Sequence, residues 1–265
     1  RFWAVDYKAD VWLNGAKLGT HEDAETAFIL DATAAVKPGA PNLLAVWVLK
    51  PTHQPIDGIV LAEIPHRNKA LPYSAGSAWA QGGITDSVEL ILAPAVRIDD
   101  VFVRCDWTTG AARIAATLRN VVERPVRCRI ELTIAPATGG GAAAATRLER
   151  EVPPGDSVVE ATINVPGHRL WSLDEPFLYR ATVRTRSMNP AARDESSVRF
   201  GFRDFRFEGG AFRLNGRRIY LRCSHTGNAC PVGLEYPHDP DYLRRDFINA
   251  KMMRFNAIRF IAGVA

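Results

Sequence analysis

Four side chains that commonly bind metal ions lie close together near the C-terminal end of the sequence. Cys223, His225, Cys230 and His238 occur within sixteen residues, and thiolate and imidazole groups are the usual ligands of structural zinc. Their spacing differs from the paired cysteines of zinc knuckles. Cys223 also belongs to a predicted strand, in which neighbouring side chains face opposite ways. We therefore predict that these residues bind no metal ion and that the chain uses no cofactor.

Trp79 is a candidate for carbohydrate binding, because an indole ring and the C–H face of a pyranose bury apolar area together. A packing role is an equally good interpretation of this tryptophan. The sequence contains no glycine-rich phosphate loop after a strand and no Gly-x-Ser-x-Gly elbow. Nucleotide binding and serine-hydrolase chemistry are therefore not indicated.

The composition limits the partners that the protein can have. Hydrophobic residues make up 47% and charged residues 23% of the 265 positions, which are ordinary values for folded globular domains. No apolar run approaches the roughly 20 residues of a membrane helix, so no membrane partner is predicted. The net charge of +4 is small and no basic stripe alternates with aromatic residues, so no nucleic-acid partner is predicted. Four scattered cysteines do not indicate a disulfide framework.

The candidate site residues must be positioned by strands and helices. In residues 1–91 the sequence predicts short strands separated by turns. Asn14-Gly15 separates two alternating runs and predicts a hairpin with a type I′ turn. A second pair of strands is predicted on either side of residues 37–42. A long surface excursion should follow at 50–77, and then a strand at 88–92.

After Ala93-Pro94 the sequence predicts an all-β region with seven strands, which is the number found in immunoglobulin-like sandwiches. The alternating runs that predict these strands are 98–104, 113–120, 126–134, 146–152, 157–165, 179–186 and 197–202.

After Phe207 the pattern changes to that of a parallel α/β fold. Asn215-Gly216 predicts a further hairpin, which leads into a buried strand at 219–223. Asp239-Pro240 is typical of a helix start, and a second strand is predicted at 256–261. Strand, helix and strand in this order form the repeating unit of parallel sheets.

Four groups of motifs, in this order, resemble glycoside hydrolase family 2, the family of β-galactosidases, β-glucuronidases and β-mannosidases. They are Asp6-Tyr7-Lys8-Ala9-Asp10-Val11-Trp12-Leu13-Asn14-Gly15 with Phe28 and Asn42-Leu43-Leu44; Trp79 with Gly83-Ile84; Leu170-Trp171-Ser172-Leu173-Asp174-Glu175-Pro176 with Phe200-Gly201-Phe202-Arg203; and 212–222 with Lys251 and Phe255-Asn256-Ala257-Ile258-Arg259. Together they cover nearly the whole chain.

The resemblance implies a mainly β protein with three parts. Residues 1–94 should form a jelly-roll sugar-binding domain that is incomplete at its N-terminus, and 95–206 an immunoglobulin-like sandwich. Residues 207–265 should form the first strand–helix–strand unit of a (β/α)₈ TIM barrel. The chain would then be the N-terminal portion of a longer protein, truncated at both ends, so its localisation, cytoplasmic or secreted, is not assigned.

The resemblance also implies a retaining β-glycoside hydrolase, which cleaves with an acid/base and a nucleophilic carboxylate. The family's catalytic glutamates lie on later barrel strands, so this chain alone should be inactive. Arg259 matches the family arginine beside the nucleophile, whereas His225 and Asn228 would lie at the barrel mouth and bind sugar hydroxyls. The expected partner is a carbohydrate substrate, and the parent is compatible with a homo-oligomer.

Two departures from the family pattern keep a second interpretation open. Ser77 stands where many members have a carboxylate, and residues 221–228 differ in register from the usual end of the first barrel strand. His225 could simply cap a strand, and Arg259 could be an ion-pair strut. The alternative function is a carbohydrate-binding or structural module without catalysis.

Overall fold

The computed structural model describes residues 1–23, 26–49, 83–188, 191–226 and 240–260. The chain is mainly β, as predicted, and it divides into two compact units. The first unit consists of residues 1–91 and 222–265, and the second of Leu92–Leu221. Within the described ranges, no helix has the length and apolar character that crossing a membrane requires.

The described elements are listed here in chain order. The strands are β1 Val5–Asp6, β2 Lys8–Leu13, β3 Ala16–Glu22, β4 Leu44–Leu49, β5 Gly83–Ile84, β6 Val96–Cys105, β7 Ala111–Asn120, β8 Val126–Pro136, β9 Ala144–Val152, β10 Gly155–Asn164, β11 Tyr179–Met188, β12 Ala191–Phe200, β13 Phe205–Glu208, β14 Ala211–Leu214, β15 Arg217–Ile219, β16 Cys223–Thr226 and β17 Ala257–Phe260. The helix α1 is Pro240–Met252.

The seven strands predicted between residues 98 and 202 are confirmed as β6 to β12. They form two antiparallel sheets, with the strand orders β10-β7-β6 and β12-β11-β8-β9. Strands β7 and β8 alternate between buried and more exposed residues, so each places one row of apolar side chains in the interior. Both sheets contribute to a single hydrophobic core, which includes Ile114, Leu118, Ile130 and Leu132. Burial of these rows is what stabilises the unit.

Asn120 is a buried polar residue at the edge of this core, with 2% of its surface exposed. Its side-chain amide donates to the carbonyl oxygens of Arg124 and Val152, both at 2.9 Å. Its Oδ1 accepts a hydrogen bond from the backbone N–H of Val122 at 2.8 Å. Because its donors and acceptor are all used, its burial carries no unpaired-group penalty.

The first unit contains an antiparallel sheet with the strand order β3-β2-β4. The predicted Asn14-Gly15 hairpin between β2 and β3 is confirmed, and both residues have the positive φ of a type I′ turn, 52° and 86°. The inner face of the sheet buries Ala9 and Val11 against Phe2 and Phe28.

The predicted strand pair around residues 37–42 is wrong, because only its second member forms, and it pairs with β2. The chain before it is held instead by the Asn42 side chain. That amide donates to the carbonyl oxygens of Lys37 and Ala40 and accepts from the Lys37 N–H, at 2.8–2.9 Å. Backbone groups that would enter a ladder are satisfied locally, so the segment turns rather than extends.

The strand predicted at 88–92 is also wrong. Val88 forms only an isolated bridge with Phe2, and Leu90 and Leu92 are 71% and 86% exposed. Backbone hydrogen bonds join Ser87 and Glu89 to Trp3 and Arg1, but no described strand pairs with residues 90–92, so the pairing does not extend into a strand. The surface excursion predicted at 50–77 lies outside the described residues.

The Asn215-Gly216 hairpin is confirmed between β14 and β15, in a three-stranded sheet with β13. The buried strand predicted at 219–223 is wrong in position. Strand β15 ends at Ile219, Tyr220 is 82% exposed, and the next strand begins at Cys223. The two strands belong to different sheets, because β15 pairs with β14 whereas β16 pairs with β17. The domain boundaries near Pro94 and Phe207 stay predictions.

Candidate functional site

The candidate site lies on the pair of parallel strands β16 and β17, which α1 connects. The predicted helix is confirmed and begins at Pro240, whose fixed φ suits the first turn and whose missing N–H would be unpaired there in any case. The pairing places His225 opposite Arg259, and Ser224 opposite Ile258. Two candidate residues far apart in sequence therefore occupy neighbouring positions on one sheet edge.

The turn between α1 and β17 is well defined. Arg254 has a φ of 63°, and its N–H donates to the Lys251 carbonyl oxygen at 2.9 Å. The N–H of Phe255 donates to the Ala250 carbonyl oxygen at 3.0 Å. This 5→2 and 6→1 pattern is a Schellman motif, which ends the helix and satisfies its last carbonyl groups. The motif sets where the chain leaves the helix for β17.

Asn256 fixes the start of the parallel pair. Its side-chain oxygen accepts a hydrogen bond from the Arg222 N–H at 2.8 Å, and its own N–H donates to the Arg222 carbonyl at 3.0 Å. The two strands are therefore joined one residue before their regular pairing begins. The sequence motif contained Asn256, but only the structure shows that it sets the register of Arg259.

Arg259 is exposed, and it has no acidic partner among the described residues. An unpaired guanidinium near the end of a parallel strand can bind a carboxylate through two parallel hydrogen bonds. Its interpretation as an ion-pair strut has no support within the described part of the chain. The arginine is available to a carboxylate that these residues do not supply.

The other predicted site residues are only partly described. His225 is placed by its backbone, whereas Asn228, Trp79 and Ser77 lie outside the described residues. Four residues were predicted not to bind a metal ion, and two of them, Cys230 and His238, also lie outside the described residues. Cys223 is an exposed free thiol. The described residues contain no cluster of three or more histidine, cysteine or acidic side chains suited to a metal ion.

The carboxylates near the C-terminal end are not on the parallel strands. Glu208 ends β13, and Asp241 and Asp246 belong to α1. Glu235 and Asp239 lie outside the described ranges. The described part of the site thus supplies a cation and backbone positions but no pair of facing carboxylates.

We expect Asn256→Ala to loosen the start of β16 and to lower stability by about 1 kcal/mol, because the Arg222 N–H loses its acceptor. Amide hydrogen exchange would show this as faster exchange at Arg222 and in the four residues of β16. Asn249→Ala, on the exposed surface of α1, is the matched control and should leave exchange in β16 unchanged. Equal exchange in both variants would contradict the assigned role.

Comparison with known proteins confirms the family resemblance. Residues 96–203 match the family model described as glycosyl hydrolases family 2. Two curated relatives are β-galactosidases. The one from Arthrobacter sp. (strain B7) is 28% identical over 262 residues, which are 98% of this chain and 22% of the relative. The one from Oenococcus oeni is 23% identical over 255 residues, which are 94% of this chain and 23% of the relative.

Solved structures agree on the fold. A β-glucuronidase from Bacteroides uniformis superimposes with a TM-score of 0.74 at 24% identity, over 97% of this chain and 30% of its own. A glycosyl hydrolase family 2 member from Bacteroides cellulosilyticus gives a TM-score of 0.75 at 23% identity, over 98% of this chain and 31% of its own. The chain therefore spans about a fifth to a third of the length of these proteins.

Proposed function

We propose, from the match of residues 96–203 to glycosyl hydrolases family 2, that this chain is the non-catalytic front part of a retaining β-glycoside hydrolase. The parent enzyme would hydrolyse O-glycosidic bonds of β-linked sugars, in the manner of a β-galactosidase. The observation that carries the proposal is that β-galactosidase relatives align with nearly the whole chain, but with only 22–23% of their own length.

The proposed architecture has three domains, with the boundaries inferred from the sequence. Residues 1–94 would be the jelly-roll sugar-binding domain, 95–206 the immunoglobulin-like sandwich, and 207–265 the start of the (β/α)₈ barrel. The two sheets formed by β6–β12 support the second assignment. The parallel pairing of β16 and β17 across α1 supports the third, since that unit repeats in such barrels.

In the assembled barrel, the proposed role of Arg259 is to lie beside the nucleophilic carboxylate. A fixed cation there favours the ionised form of the nucleophile and orients it toward the anomeric carbon. His225 and Asn228 would hydrogen-bond sugar hydroxyls at the barrel mouth, and Trp79 would stack against a sugar ring. His225 and Arg259 are paired in the register of β16 and β17, which supports placing both residues at the same site.

The chain by itself should not catalyse hydrolysis. Retention needs two carboxyl groups roughly 5 Å apart on opposite sides of the glycosidic bond. Glu208, Asp241 and Asp246 lie on a hairpin strand and a helix, and not on β16 or β17. The second candidate function, a carbohydrate-binding or structural module, is favoured by Ser77 in place of the family's carboxylate.

The test is turnover of 4-nitrophenyl β-glycosides by the 265-residue chain and by the full-length product of its reading frame. We expect no turnover by the chain. We expect the full-length protein to hydrolyse the substrate, and NMR of the released sugar should show that the anomeric configuration is retained. Turnover by the chain alone would refute its non-catalytic role. A full-length protein that binds sugars but hydrolyses none would favour the binding module instead.

A further inference from the structure

The outer face of the β12-β11-β8-β9 sheet carries a group of charged side chains that the proposed function does not use. Alternate residues of β11, such as Ala181 and Val183, are fully buried, so the residues between them face away from the core. The strand register assigns the outward positions of the other three strands. The charged residues at these positions are Arg127, Arg129, Glu131, Arg147, Glu149, Glu151, Arg180, Arg184, Arg186, Arg193, Glu195 and Arg199.

The positive charge on this face is concentrated on β11 and β12. The outward positions of β8 and β9 hold as many glutamates as arginines, and each of these arginines has a glutamate within 3.4 Å. On β11 and β12 the only outward acid is Glu195, which pairs with Arg184 at 2.6 Å. Four exposed arginines remain without an acidic partner among the described residues. We name them the arginine ribbon, which consists of Arg180, Arg186, Arg193 and Arg199.

The arginine ribbon consists of two pairs of directly opposed residues. Arg180 lies opposite Arg199, and Arg186 lies opposite Arg193. The Cβ atoms of such residues are roughly 5 Å apart, and like charges at these positions destabilise a sheet. Arg184, between the two pairs, has a glutamate opposite it instead. An anionic group bound between the two guanidinium groups of a pair would remove their repulsion.

The two arginine pairs are separated by a row that contains acidic residues. Six residues separate Arg180 from Arg186, which is about 20 Å along a strand. Between them, Arg184 lies opposite Glu195 on one side and Glu131 on the other. A continuous array of negative charge, as on duplex DNA or an anionic membrane, would lie over these two glutamates and be repelled by them. A ligand with two separate acidic groups avoids that repulsion.

The uncharged positions of this face also limit the kind of partner. All outward positions of the four strands are described, and none holds an aromatic side chain; Met188 is the only large apolar one. Stacking on nucleic-acid bases and insertion into a membrane surface would need such groups. Carboxylates need none, because an arginine binds them through two parallel hydrogen bonds. An extended peptide advances about 3.3 Å per residue, so acidic residues six positions apart would reach both pairs.

We propose that the arginine ribbon binds an extended acidic segment of a protein partner, with one group of carboxylates at each arginine pair. The proposal goes beyond the glycosidase function and does not depend on it. A failure of the glycosidase test therefore leaves it standing, and its own failure leaves the glycosidase proposal standing.

The test is a fluorescence-anisotropy titration of labelled peptides with the 265-residue chain. The first peptide carries two pairs of glutamates centred about six residues apart in a Gly/Ser background, to match the spacing of the arginine pairs. The second has glutamine in place of every glutamate, and the third has the same composition as the first but with all glutamates adjacent. We expect the first to bind at least about tenfold more tightly than the second and about threefold more tightly than the third. Its affinity should fall about tenfold between about 50 and 300 mM NaCl.

Arg193→Glu should weaken binding of the first peptide at least about tenfold without lowering the melting temperature. The new glutamate would lie opposite Arg186, as Glu195 lies opposite Arg184, so it would replace a repulsion by an attraction. Arg113→Glu is the matched control, because it makes the same change in net charge on an exposed position of the other sheet. It should leave peptide binding unchanged.

Three results would overturn the proposal. The first is equal binding of the glutamate and glutamine peptides, or of the spaced and adjacent glutamates. The second is that Arg193→Glu binds as well as the unchanged chain, or that Arg113→Glu weakens binding equally. The third is tighter binding of vesicles with about 30% phosphatidylglycerol, or of a DNA duplex of about 20 base pairs, than of the first peptide.

Discussion

Replacing Phe202 by alanine is expected to lower the free energy of unfolding of the second unit by about 3–5 kcal/mol. Phe202 is fully buried. Its ring packs against the rings of His168, Tyr179 and Phe200, with centroid distances of 4.7, 5.3 and 5.4 Å. Removing it would leave a cavity at the point where these three side chains meet.

Two features should keep the surroundings of Phe202 from collapsing into that cavity. The Phe202 carbonyl accepts a hydrogen bond from the Trp171 N–H at 2.9 Å, and Phe202 bridges to Leu170. The Tyr179 hydroxyl accepts a hydrogen bond from the Arg169 N–H at 2.8 Å, so the tyrosine ring is held as well. Poor relaxation places the cost in the upper part of the range for large-to-small core substitutions.

The measurement is urea unfolding followed by near-ultraviolet circular dichroism, with amide exchange in β11 as a local reporter. Phe102→Ala is the control, because Phe102 lies in the same unit but is 56% exposed. It should change stability by no more than about 0.5 kcal/mol. Similar losses in both variants would show that Phe202 does not have the packing role described.

The second large effect is expected in the proposed full-length enzyme, where Arg259→Met should reduce kcat/KM about a hundredfold near neutral pH. This result depends on the proposed position of Arg259 beside the nucleophilic carboxylate. In that position the cation would stabilise the ionised carboxylate and so lower its pKa. Without the cation the pKa rises by roughly 1–3 units, and less of the nucleophile is ionised at a given pH.

The pH profile distinguishes this role from a structural one. In Arg259→Met the acidic limb of kcat/KM should move to higher pH, because the nucleophile must lose its proton before it can attack. Arg259→Lys keeps the charge but not the two-pronged hydrogen bonding, so it should restore the acidic limb more fully than the rate. Arg244→Met, on the exposed surface of α1, should leave both unchanged. An unshifted acidic limb in Arg259→Met would rule out the proposed position.

Local structure was predicted well wherever a short-range signal decides it. Alternating apolar residues predicted β6 to β12, and both Asn-Gly pairs formed the expected hairpins. Pro240 marked the first residue of α1. Each signal acts over a few residues, through side-chain period, positive φ or a fixed φ, so distant parts of the chain do not alter it.

The wrong predictions concern pairing between distant segments. Residues 44–49 have the pattern of a strand, but the pattern does not identify β2 as the partner strand. Nor does it show that the Asn42 side chain hydrogen-bonds to the backbone that precedes the strand. Similarly, 219–223 is apolar enough for a strand, yet Ile219 and Cys223 join different sheets. Closing a longer loop costs only slightly more entropy than closing a short one, so sequence distance is a weak guide to partners.

By itself, the sequence determined the mainly β composition of the chain, its hairpins, its helix and the family resemblance, since these depend on residue types at short, regular spacings. Only the tertiary structure placed His225 opposite Arg259, joined Asn256 to Arg222, and set Arg186 opposite Arg193. The physical reason is that a two-residue period assigns each side chain to a face of its strand. Which strand lies alongside, and in which register, depends on packing and hydrogen bonding summed over the whole unit.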